Sequence, residues 1–217
     1  MRAALEPASS PSGHHMTTAK KRHPNEEQAQ ARREQVLAAA RACFARKGFQ
    51  GASMAEISKT AGMSPGHIYN YFESKKDIVA GIVAQDLGRR MEMMEQIRRN
   101  TDVMRALVDF AHLGVDANLD PQEAALNLEI MAEAARNPEI SALVIENNSI
   151  ARAYFIGLIR SALNGREVSD ADLAGRSEAI GALFEGLNQR IVSNPQLEKQ
   201  ATLNAVRIAL EAILSAP

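Results

Sequence analysis

The chain has 217 residues, 46% of them hydrophobic and 24% charged, with a single cysteine and a formal net charge of −1. That length allows one sizeable core or two modest ones. One cysteine excludes an intrachain disulfide or a cysteine-based zinc site, and no apolar run approaches the roughly 18 residues that would span a bilayer. The near-neutral total conceals a division: residues 1–80 hold 12 Lys+Arg against 7 Asp+Glu, net +5, and residues 81–217 hold the remaining 13 against 19, net −6. A basic first part and an acidic second part suit a nucleic-acid reader joined to a domain that stays off phosphate.

Residues 1–24 are rich in Ser, Pro, Gly and His and read as a disordered basic leader, too polar for the apolar segment of a signal peptide. Met16 is an alternative start. Lys20-Lys21-Arg22-His23 is either a solvated leader or an arm that drapes over phosphates or enters a minor groove. A helix is predicted from about Glu26 to Lys47, with Val36, Leu37, Ala40 and Phe44 inward and Gly48 ending it. Cys43, beside Phe44, reads as a packed core thiol.

Residues 53–76 read as a helix-turn-helix with both starts spelled out. Ser53 and Glu56 have capping-box spacing, in which the hydroxyl takes one free amide and the carboxylate reaches back for another. The helix from Met54 to about Ala61 turns Met54, Ile57 and Ala61 inward. Gly62 gives the backbone freedom for a sharp turn, and Met63 fills the angle. Ser64-Pro65 starts the second helix, to about Phe72, as N-cap and first helical residue. It buries Ile68 and Phe72 and displays His67, Tyr69, Asn70 and Tyr71, side chains able to bond base edges or phosphates. On spacing alone, a helical corner with no nucleic-acid role stays open.

The rest reads as helical throughout. A long helix from Ser74 to about Arg98 begins against the reader and ends inside the second domain. Further helices are expected at Thr101/Asp102–Leu119, Pro121–Arg136 after a second capping box (Asp120 to Glu123), Pro138–Leu163, Ser169–Val192 and Gln196–Ser215. Leu173, Ile180, Phe184, Leu187 and Ile191 form a seam on one of the last two helices, and Leu203, Val206, Leu210 and Ile213 a seam on the other. Such seams either join two copies in a four-helix bundle or close the monomer's own core. Gly175, Ala179 and Gly181 permit close approach on a neighbouring face.

The residues from Ala38 to Phe44, Lys47-Gly48-Phe49, Gly51 to Ser58, Ala61 to Phe72 and Lys75 to Val79 together resemble the N-terminal domain of the TetR/AcrR family of bacterial regulators, over roughly residues 30–80. Cys43 stands where leucine is usual, and Ser58 where alanine is common. The resemblance implies an all-α chain: an N-terminal three-helix DNA-binding domain (25–73) and a C-terminal helical ligand-binding and dimerisation domain (74–217). It implies a homodimeric repressor on a palindromic operator in double-stranded DNA, released by a small-molecule effector; with no export signal, cytoplasm is the default, and neither a cofactor nor a metal is expected. Carried over by position, Ser53, Ser64, Tyr69, Tyr71 and Lys75 would meet phosphates. Gly66 would leave room for the duplex, and His67 and Asn70 would read bases.

The implied effector pocket is less legible. Its candidate lining is Met91, Met94, Met104, Phe110, Met131, Tyr154 and Phe155, an adaptable apolar set. Asn147 and Asn148, poor helix formers inside a helix, are candidates to orient a largely apolar ligand. Asn127 is a weaker candidate, with Glu129, Arg152 and Gln189, and His112 reads as a satisfied core histidine. An all-helical small-molecule binding protein without DNA function and a TetR-like activator remain open. No phosphate-cradling glycine loop, GxSxG or HExxH supports an enzyme.

Overall fold

The computed structural model describes residues 24–216, so the expectations for the leader, including the Lys20–His23 arm, lie outside the described residues. Ten helices follow one another, with no strand among the described residues: α1 (Pro24–Gly51), α2 (Met54–Thr60), α3 (Pro65–Ile68), α4 (Lys75–Arg98), α5 (Val103–Asp109), α6 (Ala111–Asn118), α7 (Pro121–Ala134), α8 (Pro138–Ala162), α9 (Asp170–Ser193) and α10 (Lys199–Ser215). No helix among them is long and apolar enough to cross a membrane.

Most starts are built as their side chains dictate. Ser53, Ser74 and Ser169 accept the amides of Glu56, Asp77 and Asp172, and Asp120 accepts those of Gln122 and Glu123. Neither capping box closes. The Glu56 carboxylate turns to Lys47 at 2.7 Å, and Glu123 to Arg41 at 2.8 Å, because each finds a cation in a neighbouring helix. The expected 101–119 helix is two pieces meeting at Phe110, where neither proline nor glycine marks the break. The last helix starts at Lys199, since the turn after Asn194-Pro195 closes with the Leu197 amide on the Asn194 carbonyl.

Two apolar cores form. The first gathers Val36, Leu37, Cys43 and Phe44 of α1, Ile57, Ile68, Phe72 and the first half of α4, and also Leu126, Ile130 and Ala134 of α7 with Ile140 and Val144 of α8. The second holds the end of α4 and α5 to α10. The seam residues Leu173, Ile180, Leu187, Ile191, Leu203, Val206 and Leu210 are buried in this second core, with Phe184 and Ile213 packed against it. Their spacing therefore closes the monomer and carries no argument for pairing. The outward face of these helices is different: Gly175, Ala179 and Ala182 on α9 and Ala201, Ala205, Ile208 and Ala212 on α10 are exposed, Ile208 by 68%.

A buried cation ties the cores together. Arg41 of α1 reaches Asp86 of α4 and Glu123 of α7 from a site where its side chain is 9% exposed. Removing one partner of such a pair leaves uncompensated buried charge. Because Asp86 and Glu123 are partly solvated (24% and 36% exposed) and Asp86 also meets Arg89, the cost is moderated by water. Arg41→Met should lower the unfolding free energy by about 2 kcal/mol, read as a lower urea midpoint with unchanged slope.

Candidate nucleic-acid interface and the helical body behind it

Local bonds fix the reader. Gly62 takes φ +64°, and the turn is closed by the Met63 amide on the Ser58 carbonyl at 2.9 Å. The buried Ser58 hydroxyl donates to the Met63 carbonyl at 2.7 Å, so the residue that departs from the family pattern adds a bond across the turn. Gln35 of α1 donates to the Ala61 carbonyl at 2.6 Å, capping α2. Arg33 donates to the Tyr71 carbonyl at 2.7 Å and lies over the Phe72 ring, clasping the far end of the second helix. None of these tertiary clasps has a signature in the sequence.

The second helix is shorter than its pattern suggests. The α-helix ends at Ile68, and the chain passes through tight turns, Asn70 amide to His67 carbonyl and Tyr71 amide to Ile68 carbonyl, before Phe72 re-enters the core. Ile68 and Phe72 are buried as expected. Ser64, Gly66, His67, Tyr69 and Asn70 stand exposed on one stretch, with Tyr69 exposed by 52%. The Ser64 hydroxyl makes no cap bond, and no intrachain hydrogen bond engages the side chains of Tyr69 or Asn70 among the described residues.

Tyr71 and Lys75, expected only to meet phosphates, also have packing roles. Tyr71 is half-buried against the first core, with its phenol 3.3 Å from His67 Nε2. Lys75, the first residue of α4, donates to the Phe49 carbonyl at 2.6 Å and lies over the Phe49 ring. An ammonium has three protons, so this bond fixes the group and leaves donors to spare. Beside it, Lys76 pairs with Glu139 of α8.

In the body, α4 packs along α8. Met94 is buried in the second core, and Met91, Met104, Phe110, Tyr154 and Phe155 pack against it. Four other candidates are placed elsewhere. Met131 is 54% exposed, because the opposite side of α7 supplies its buried residues. Asn148 is exposed and accepts from both terminal nitrogens of Arg90, at 3.2 and 3.3 Å. Asn147, half-buried, donates to the Leu143 carbonyl one turn back, a local bond that explains its tolerance in a helix. Asn127 is half-buried on α7. Of the weaker candidates, Arg152 pairs with Glu178, Gln189 is exposed, and Glu129 receives the Phe49 amide. His112 is exposed rather than core, held to the Asp109 carbonyl at 2.8 Å. Two surface clefts, about 400 Å³ beside Arg160 and Val168 and about 630 Å³ beside Arg46 and Lys59, are lined by none of the effector candidates.

The polar element that the sequence left unseen on this face is a cluster of Glu95, Arg98 and Tyr154. The Tyr154 phenol donates to Glu95 at 2.5 Å, and Arg98 donates to both. Arg98, with Tyr154 and Arg99, lowers the Glu95 carboxyl to about 2, and the hydrogen bond to Glu95 in turn raises the Tyr154 phenol. The cluster joins the end of α4 to α8 at the margin of the apolar set.

Comparison with known proteins agrees with this arrangement over nearly its whole length. Residues 36–82 match the bacterial regulatory proteins of the tetR family, and residues 101–215 match the C-terminal domain of BetI-type transcriptional repressors. The chain belongs to the TetR family. Among TetR-family relatives, the transcriptional regulator UidR of Escherichia coli K12 is 29% identical over 194 residues, covering 87% of this chain and 96% of UidR. The repressor AcnR of Corynebacterium efficiens is 25% identical over 172 residues, covering 76% and 85%. Salmonella enterica GusR superposes with a TM-score of 0.73 at 26% identity, covering 91% of this chain and all of GusR. Bacillus subtilis FadR, solved with stearoyl-CoA, shares the fold with a TM-score of 0.71 at 21% identity, covering 85% and 98%. The TetR-type reader and helical body are thus the family's architecture, and DNA-binding transcriptional regulation is its activity.

The Glu95 cluster yields a signed prediction. A carboxyl held below its ordinary value of 4.5 contributes stability that is present above pH 4.5 and lost as pH falls towards 2. Glu95→Gln should therefore melt at a lower temperature than the parent at pH 7. The gap should close on acidification from about pH 4.5 to about 2, followed by circular dichroism.

Proposed function

We propose that this protein is a homodimeric repressor that binds a palindromic operator and is released by a small, largely apolar effector, acting in the cytoplasm. The observation that carries the reading is the Ser64–Asn70 stretch, a run of polar side chains held outward by a buried Ile68 and Phe72, where the side chains of Tyr69 and Asn70 have no hydrogen-bond partner among the described residues. In this reading residues 25–73 are the DNA-binding domain and residues 74–217 the effector and dimer domain. Ser53, Ser64, Tyr69, Tyr71 and Lys75 bond phosphates, Gly66 lets the backbone approach, and His67 and Asn70 face base edges. Lys75 is the best placed for a phosphate, since it opens a helix of 24 residues whose positive dipole end adds to its charge.

Pairing is supported by the exposed small-residue faces of α9 and α10, where Ala201, Ala205, Ile208 and Ala212 repeat at helical spacing and leave room for a second copy. For the effector, the supporting feature is the apolar group Met91, Met94, Met104, Phe110 and Phe155, with the Tyr154 cluster at its edge. Met131, Asn127, Asn147 and Asn148 would join it only if α7 or α8 shifts on binding.

Genomic fragments retained by the purified protein should share an inverted repeat whose halves are spaced about one helical turn apart. The affinity should fall linearly on a log–log plot against salt, at about 0.9 per phosphate neutralised. Unselective retention that is indifferent to salt would refute the assignment. On the selected duplex, Tyr69→Phe should weaken binding several-fold for every sequence. Asn70→Ala should also relax preference at one base in each half-site, by about 1–3 kcal/mol of discrimination. Both are read by fluorescence anisotropy across single-base variants.

A further inference from the structure

The corner between α1 and α2 is held from outside the reader. Gly48 breaks α1 with φ +72°, and a Cβ at this position would lie 3.0 Å from the Glu129 carboxylate of α7. One carboxylate oxygen, Glu129 Oε1, accepts the amide of Phe49 at 2.7 Å. The carbonyl of the same residue accepts the Lys75 ammonium at 2.6 Å, and the Phe49 ring lies under that ammonium. Phe49 is buried, packed against Phe44 in the first core, so neither side of the corner is free to swing into water. Glu129, the Phe49 main chain and Lys75 thus form one continuous line from the body to the opening turn of α4.

Resting on the DNA-reading function above, we infer that Glu129 is a positioning residue for operator binding. By fixing the Phe49 main chain from α7, it sets where Lys75 presents its remaining protons to a backbone phosphate. The left-handed glycine is part of the device: its φ of +72° suits glycine, and a Cβ there would press on the carboxylate at 3.0 Å and push it back by a few tenths of an ångström. The charge suits the task too: a carboxylate bonds an amide about twice as strongly as a neutral acceptor, and it adds a favourable field at the ammonium beyond.

The test uses the full chain and a labelled mixed-sequence duplex at low salt, since a phosphate contact does not depend on sequence. Circular dichroism melts establish that each variant is folded at the assay temperature. Lys75→Met should weaken binding roughly tenfold and reduce the salt slope by about one per subunit. Glu129→Ala should do nearly the same, and adding it to Lys75→Met should produce no further loss. Glu129→Asp keeps the charge but falls short of the amide, so it should behave as alanine does, whereas Glu129→Gln still offers an oxygen and should retain most of the affinity. Three results would overturn the inference: parent affinity in Glu129→Ala, an equal fold-loss with and without Lys75, or a glutamine variant as weak as alanine. If the parent chain binds no duplex at low salt, the DNA-reading function itself fails, a result separable from those three.

Discussion

Val36, Ile57, Ile68 and Ile82 from the first four helices close around the same apolar interior as Leu126, Ile130 and Ile140 from α7 and α8, and that shared burial holds the reading surface at a set angle to the body. A fully buried isoleucine contributes about 1.5–3 kcal/mol, so the contributions of α7 and α8 to this core outweigh any single polar contact between reader and body. The burial is also non-directional. It fixes that the two parts stay together more firmly than it fixes their exact register. Register falls to the hydrogen bonds and ion pairs laid over the core: Arg41 with Asp86 and Glu123, Phe49 with Glu129, Gln50 with Glu133, and Lys76 with Glu139.

Three of these polar links end on carboxylates of one helix, α7. Glu133 is the most buried of them. Burial alone pushes its carboxyl up, but hydrogen bonds from Arg136, Asn137 and Gln50 outweigh that and hold it below the ordinary range. It therefore stays charged. A seam of charged acceptors along α1 is steep in distance, since a shift of about 1 Å takes a hydrogen bond out of its working range, whereas apolar contacts survive such a slide. The length of α4, which runs from the reader into the body, makes it one lever by which a change in the body could reach the reader. The bonding pattern adds α7 as a second route, with its own hold on the corner before α2.

How much of this could be read from the sequence follows from how local each determinant is. The reader was legible because its signals are short-range: a capping serine, a turn glycine at φ +64°, a proline at the first helical position and apolar residues at helical spacing. The capping boxes misled because a carboxylate with a backbone option and a cation option takes the cation, and Lys47 and Arg41 come from a different helix. The seams on α9 and α10 misled for a related reason. Helical spacing reports a buried face without saying whose atoms bury it, and here the monomer does. The break at Phe110 has no glycine or proline to announce it. Tyr154 is among the residues the sequence offers for the pocket, but its partners Glu95 and Arg98 lie 59 and 56 residues away, beyond any spacing rule.

The same distinction bears on where an effector could act. Tyr154 links α8 to the end of α4 at Glu95, about two and a half helical turns along from Asp86, which in turn meets Arg41 of the reader. A ligand entering beside Met91 and Met94 would displace side chains that pack between these two anchors. The Glu95 cluster would resist at one end and the Arg41 pair at the other, so in the proposed reading the strain would be relieved by a small rotation of α4 or by a shift of α7 against α1. Rotation disturbs Lys75 at the start of α4 directly. A shift of α7 disturbs it through Glu129 and Phe49. In the proposed reading both movements would converge on the Lys75 ammonium at the start of α4, where a change within the body would become a change in grip.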